Sequence, residues 1–313
     1  MSWSRLLDSD DEFELAEESA LPTIHSHTVT LVGQTIWIIG GNDDNDFSTR
    51  IYCFDTETLE WTTPDVTGDV PPPLRGHTAT LVGRHIVLFG GGHGLKYYNT
   101  IYILDTKSRH WSKPSISGPL PVPRRTHSAL LYKDRIWIFG GGSGVSALRD
   151  LWALDFGDLS HPQWQEIRTF GKRPSIRGFH TVNLVGSNKM VILGGTDGQR
   201  CFGDCWVLDL DSLIWQRISS GLRLFAHTST HIGPRLYIFG GHDGTEYSCN
   251  ISVFNLDLLQ YEEATVIGEP PSPRGHHASV HVGDRLFVLG GYDGTRSYPD
   301  IYTLDLVAGA YVR

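Results

Sequence analysis

The sequence predicts an all-β chain folded as a six-bladed β-propeller, and three observations carry that expectation. First, a diglycine closes an apolar run six times, at Gly40-Gly41, Gly90-Gly91, Gly140-Gly141, Gly194-Gly195, Gly240-Gly241 and Gly290-Gly291, with spacings of 50, 50, 54, 46 and 50 residues. Periods of this length are the signature of a repeat architecture. Second, a histidine stands 13 residues before each pair, or 14 in the fourth unit, at His27, His77, His127, His180, His227 and His277. Third, aromatics follow in register, at Tyr52, Tyr102, Trp152, Trp206 and Tyr302, and again at Trp61, Trp111, Trp164, Trp215, Tyr261 and Tyr311; Ser252 alone breaks the first series. Thirty-five glycines and two methionines in 313 residues leave little material for helices.

Each unit reads as four short strands. In the first unit they are 27–32, 35–39, 50–54 and 61–66, separated by Gly, Asp, Asn and Pro turns. The second strand is apolar without alternation (Ile36-Trp37-Ile38-Ile39, Ile136-Trp137-Ile138-Phe139, Leu236-Tyr237-Ile238-Phe239), which implies burial on both faces. Six sheets stacked around an axis meet that requirement, and closing the ring protects the edges. Met1-Ser2-Trp3-Ser4-Arg5-Leu6 matches the fourth strands Glu60-Trp61-Thr62-Thr63 and His110-Trp111-Ser112-Lys113, so Trp3 is placed in the last blade. The expected organisation is a single domain over 1–313. Its blades are near 24–67, 74–116, 124–168, 177–219, 224–266 and 274–313 plus 1–7, with an acidic loop insertion at 8–20.

The diglycine, the paired aromatics and the period of about fifty residues resemble kelch repeats. The Pro-rich approaches Pro123-Arg124-Arg125-Thr126-His127 and Pro273-Arg274-Gly275-His276-His277 are similar to the longer repeats of host cell factor and fungal polarity kelch proteins. The resemblance covers about 24–313 and implies a kelch-type propeller closed by pairing of N- and C-terminal segments.

Charge and composition exclude several function classes. The net charge is −9, but residues 8–18 hold seven acids, and the remainder carries 28 acidic and 26 basic groups, or −2. That near-neutral body lacks the basic excess of a nucleic-acid binder. No apolar run approaches a membrane span, and the first residues do not read as a signal peptide, so a cytoplasmic or nuclear location is expected. Cys53, Cys201, Cys205 and Cys249 read as free thiols.

The candidate chemistry is sparse. Six histidines related by rotation do not converge on one metal ion, so each is expected to hydrogen-bond backbone at the start of its strand. The arginines three residues before a histidine, Arg124, Arg177 and Arg274, are expected to brace a neighbouring blade through carbonyls or a carboxylate. Arg75, Arg125, Arg173 and Arg223 fall outside that register and are left to face a ligand. Cys201, Cys205, Cys249 and His242 are only generically compatible with zinc, and inert thiols are the simpler reading. There is no GxSxG, GxxxxGK[ST] or HExxH. Galactose oxidase and the iron-binding specifier proteins carry kelch-type blades, but Leu193 stands where the specifier pattern ahead of Asp197 and Cys201 needs an acid.

Loop lengths point to the binding face. In a four-stranded meander the first-to-second and third-to-fourth links share one face and the other links emerge opposite. The first set is tight, as in Val32-Gly33-Gln34. The second is long: 42–49, 92–100, 142–150, 196–204, 242–250 and 292–300. Long polar-aromatic loops on a rigid scaffold mark a recognition surface. They offer Lys96, Tyr97, Tyr98, Arg149, Arg200, Tyr247, Arg296 and Tyr298 as partner-binding residues, with Arg75 and Arg125 beside the Pro-rich entries 68–74 and 118–123 of the same set, types that dominate interface hot spots. The expected function is a non-catalytic protein-interaction module with no cofactor and no metal, binding a partner peptide or loop. A metal-dependent or small-molecule enzyme of the central channel, and a structural segment of a larger polarity or transcription scaffold, are the alternatives. The acidic run Asp8-Ser9-Asp10-Asp11-Glu12-Phe13-Glu14-Leu15 has two readings: a solvated loop, or an internal ligand of the arginine-rich mouth that phosphorylation of Ser9 would strengthen.

Overall fold

The computed structural model describes residues 1–6, 22–42, 51–157 and 160–307; the acidic run and Tyr311 lie outside them. Regular structure there is strand throughout, in six sheets each built on a four-stranded antiparallel meander, with one small two-stranded hairpin besides, and the fold is the six-bladed β-propeller expected. The chain divides into two compact units, Met1–Pro64 with Ala226–Arg313, and Asp65–Phe225.

The first unit holds three sheets. Sheet one is Thr28–Val32, Thr35–Ile39, Ile51–Asp55 and Trp61–Thr62. Sheet five is Thr228–Ile232, Arg235–Phe239, Ile251–Asn255 and Gln260–Glu262. Sheet six is Ala278–Val282, Arg285–Leu289 and Ile301–Asp305, completed by Ser2–Arg5. Ser2–Arg5 runs antiparallel to Ile301–Asp305 with Trp3 opposite Leu304, as the resemblance of its sequence to the other fourth strands required. Trp3 is buried, its ring 5.1 Å from that of Phe239.

The second unit holds sheets two to four. Sheet two is Thr78–Val82, His85–Phe89, Ile101–Asp105 and His110–Ser112; sheet three is Ser128–Tyr132, Arg135–Gly142, Ala147–Asp155 and Gln163–Glu166. Sheet four is Thr181–Val185, Lys189–Leu193, Asp204–Asp209 and Ile214–Ser220. The unalternating second strands are buried on both faces, Ile136, Trp137, Ile138 and Phe139 among them.

One expected strand is corrected. The fourth strand of sheet one stops at Thr62 instead of reaching residue 66. Pro64 has no N–H to give to a ladder, which ends the pairing. The freed segment Thr67–Gly68 instead runs parallel along the outer edge of His110–Ser112 as a fifth strand, with Thr67 N–H donating to the Arg109 carbonyl at 3.0 Å. Phe170 makes the same parallel bridge to Ile214.

Close packing explains the diglycines. Gly90 and Gly91 both have left-handed φ, 69° and 86°. A Cβ on Gly90 would lie 2.7 Å from the Arg124 carbonyl, and one on Gly91 would lie 2.8 Å from the His77 Cβ. No side chain fits either place.

Three of the histidines bond to a different group from the one expected. His127, His180 and His277 pair through Nε2 with hydroxyls on the preceding sheet, Thr78 at 2.9 Å, Ser128 at 2.6 Å and Thr228 at 2.9 Å. Their rings meet the edges of Phe89, Phe139 and Phe239. The correction has a simple cause, since the nearby strand carbonyls are committed to the ladders. The imidazoles are buried, which lowers the affinity of His127 and His277 for a proton far below the usual value and takes His227 down to about 4.

Three buried arginines tie neighbouring sheets, as their register predicted. Arg124, Arg177 and Arg274 are each 0% exposed. Arg124 accepts the Gly91 N–H on its carbonyl at 2.8 Å, which holds it to sheet two. Its guanidinium reaches sheet three, donating to the Gly140 carbonyl at 2.9 Å and to both Asp150 oxygens at 2.8 and 2.6 Å. Arg177 repeats this with Gly194 and Asp204, and Arg274 with Gly290 and Asp300. Burial alone would raise the Asp150 and Asp204 carboxyls, yet the arginines hold both below the ordinary carboxylate value. The equivalent positions in the other repeats are the buried aliphatics Ile24, Leu74 and Leu224.

A second repeated device escaped the sequence. The residue just before each histidine, Ser26, Gly76, Thr126, Phe179, Ala226 or His276, is left-handed, with φ between 55° and 63°. In the second unit the Thr126 N–H donates to the Gly76 carbonyl at 2.6 Å, and the Phe179 N–H to the Thr126 carbonyl at 2.9 Å. In the first unit His276 donates to Ala226 at 2.9 Å and Ser26 to His276 at 2.8 Å. The backbone hydrogen bond offsets a strain of roughly 1–3 kcal/mol per residue.

Candidate functional site

The long second-to-third connections rise from rigid strands, and in the second unit they gather cations. Arg75 and Arg125 occupy equivalent positions two residues before a histidine. Each is fixed by a pair of backbone hydrogen bonds, Arg75 to Gly92 and Arg125 to Gly142, at 2.9 to 3.1 Å. From Gly92 the chain makes a small hairpin, Gly92–His93 against Lys96–Tyr97. This hairpin lays the Tyr97 ring under the Arg125 guanidinium, 4.8 Å from its centroid, and puts Lys96 5.2 Å from the Tyr98 ring. Burial, and then the adjacent Arg125 charge, lowers the proton affinity of Arg75. Two like charges held this close form a positive focus for an anionic partner.

The hairpin tips add apolar surface that the sequence reading did not single out. Leu95 is 100% exposed and Val145, at the tip between Arg135–Gly142 and Ala147–Asp155, is 96% exposed. A Cβ on Gly144 would come within 3.0 Å of the Tyr97 ring, so the Val145 tip lies beside that tyrosine. A bare Leu after a Gly, repeated as a bare Val after a Gly, was the available signal. Arg200 is exposed on sheet four, in a turn closed by its N–H to Asp197 at 2.7 Å. Arg149 is exposed as well, but it lines a separate cleft beside sheet three.

The loops of the first unit are aromatic. Tyr247 meets His242 edge-on at 4.7 Å and Tyr292 at 6.4 Å, and His25 stacks on Tyr292 at 5.0 Å. Arg296 is exposed and stands 5.0 Å from the Tyr298 ring. Tyr298 itself is corrected from a loop contact to a packing residue. It is 7% exposed, lies 4.0 Å beneath the Arg274 guanidinium and donates its hydroxyl to Asp293 at 2.6 Å. The clasp arginine needs an apolar cover, and the tyrosine face supplies it.

The cysteines do not converge. Cys53 and Cys205 are buried, and burial pushes the Cys205 thiol up to about 12. No group of three His, Cys, Asp or Glu among the described residues is placed to hold a metal ion. No helix there is long and apolar enough to cross a membrane.

Comparison with known proteins adds to this geometry. The family model described as the KLHDC2/KLHL20/DRC7 Kelch-repeats domain matches residues 26–225 and 222–312. Acyl-CoA-binding domain-containing protein 5 of Arabidopsis thaliana is 34% identical over 128 residues, 38% of this chain and 19% of that protein. The Rab9 effector protein with kelch motifs of Xenopus laevis is 31% identical over 125 residues, 36% of this chain and 34% of that protein. Host cell factor of Drosophila melanogaster is 32% identical over 143 residues, 38% of this chain and 10% of that protein. Each match spans about a third or less of the relative's own length.

Proposed function

Because the chain belongs to the kelch-repeat family, we propose that it is a non-catalytic protein-interaction module whose partner, a peptide or loop, docks on the long-loop face. The observation that carries this reading is the cluster of Arg75, Arg125 and Tyr97 beside the bare tips Leu95 and Val145. Nothing in the repeat requires it. The matching positions elsewhere are His25, Gly178, Phe225 and Gly275, so the arginines are not part of what builds a blade. Exposed aliphatics next to aromatic-stacked cations are the makings of an interface anchor. Lys96, Tyr98 and Arg200 sit in the long second-to-third connections of the second unit, and Tyr247 and Arg296 in those of the first. One relative is named as a Rab9 effector, in keeping with a binding role.

Affinity purification with the wild-type protein and with an Arg75→Ala/Arg125→Ala/Leu95→Ser variant is the test. The reading expects a protein partner that the wild type retains and the variant loses, with melting temperatures unchanged. Equal recovery by both proteins removes it.

A further inference from the structure

Beside sheet three of the second unit is an open cleft of about 630 Å³ that the reading above does not use. Its apolar wall includes Val122, Leu148 and Ile176, and Val122 and Ile176 are 47% and 40% exposed. Arg149, Arg168 and Arg173 line it, the first near the start of Ala147–Asp155 and the other two from the linker that follows Gln163–Glu166. None of the three forms an ion pair among the described residues, in contrast to Arg84, Arg124, Arg135 and Arg177 of the same unit. Of the two acids in the lining, Asp150 is already neutralised by Arg124, which leaves Glu166 against three guanidiniums.

The repeat does not explain this charge. Linkers of matching register read Gly68-Asp69-Val70, Gly118-Pro119-Leu120 and Gly268-Glu269-Pro270, where this one reads Gly171-Lys172-Arg173. The glycine keeps its left-handed φ in all four, so the fold needs only the glycine and leaves the next two residues open. Arg149 is equally private to its blade, its counterparts being Asn99, Gly203, Cys249 and Pro299.

We infer that this cleft is a second docking site, and that its occupant is an acidic peptide segment carrying aliphatic side chains. Unpaired guanidiniums call for carboxylates, and half-exposed Val122 and Ile176 call for an apolar cover. A small anion or a nucleic-acid backbone satisfies the first and leaves the second wet. The site shares no residue with the Tyr97 cluster, so it stands whether or not that cluster binds.

The test is fluorescence anisotropy at low salt with three labelled probes on the intact protein: a peptide alternating Asp and Leu, an oligo-glutamate of equal charge, and a single-stranded oligonucleotide. The Asp-Leu peptide is expected to bind tightest, and Arg168→Ala/Arg173→Ala to weaken it about tenfold or more. Val122→Asp is expected to weaken it as well, and Arg75→Ala/Arg125→Ala to leave it unchanged. Thermal melts confirm that the variants are folded. The inference is overturned by an unchanged affinity in Arg168→Ala/Arg173→Ala, by oligo-glutamate or the oligonucleotide binding as tightly as the peptide, or by peptide binding weaker than about 1 mM.

Discussion

Arg124 and Arg125 are neighbours in sequence, yet they serve two regions that obey different rules. Arg124 recurs in register with Arg177 and Arg274, is fully buried, and spends its guanidinium on an aspartate and a carbonyl. Arg125 has an equivalent only in Arg75, lies over a tyrosine ring and faces a second cation. Residues that repeat build the blade; residues that break the repeat are free to recognise something else. The clasp itself varies in a correlated way. Where the arginine is replaced by Leu74 or Leu224, its aspartate is replaced by Thr100 or Asn250. A buried charge is kept only with its partner, since the unpaired ion costs more than the pair contributes.

The largest effect that tests this contrast is at the clasp. Arg124→Leu leaves the partly buried Asp150 without its cation and removes the tie to the Gly140 carbonyl, and should cost about 3 kcal/mol in urea unfolding. Adding Asp150→Thr, which copies the second repeat, should recover most of that loss. A double variant as unstable as the single one would refute the pairing argument. Removing residues 1–6 withdraws Trp3 from the sixth sheet and should cost about 3–5 kcal/mol for the indole alone, read as a lower melting temperature.

Two tyrosines sharpen the boundary between the regions. Tyr298→Ala removes the cover from Arg274 and should destabilise by roughly 3 kcal/mol. Tyr97→Ala should stay within about 1 kcal/mol while weakening partner binding. Equal losses in melting temperature would dissolve the distinction.

The buried histidines add a pH dependence of similar or smaller size. His227 is neutral in the fold with its pKa near 4, and His127 and His277 are shifted in the same direction. The unfolded chain therefore binds protons first as pH falls through about 6.5. Stability is fully present above that value and declines toward pH 4, with the depressed Asp150 and Asp204 carboxyls continuing the loss below it. Urea midpoints at pH 7 and pH 5 check this; a midpoint that does not fall at pH 5 would contradict neutral burial.

The repeat made most of the architecture legible, because the histidine and the diglycine recur in all six units and the aromatics in nearly all, with Ser252 the exception in the first series. The clasp was legible through register alone. Two features were not. The left-handed residue ahead of each histidine is Ser, Gly, Thr, Phe, Ala or His, so its backbone role leaves no common side chain to read. Tyr298 looked like a loop aromatic because its burial depends on Arg274, 24 residues earlier, folding over its ring. At the candidate site, arginines and tyrosines were visible by type. Leu95 and Val145 were visible only as an aliphatic following a loop glycine, a signal that does not by itself say the side chain is exposed.

The pairing of Ser2–Arg5 with Ile301–Asp305 has a consequence for biosynthesis. At roughly 5–20 residues per second, the ribosome takes about 15–60 s to pass from one strand to the other. Throughout that interval Trp3 has no Leu304 opposite it, and Ser2–Arg5 is made long before the strand it pairs with. The fourth strand of sheet six therefore stays without its ladder until Ile301–Asp305 has been made, and that sheet is completed late in the synthesis of the blades.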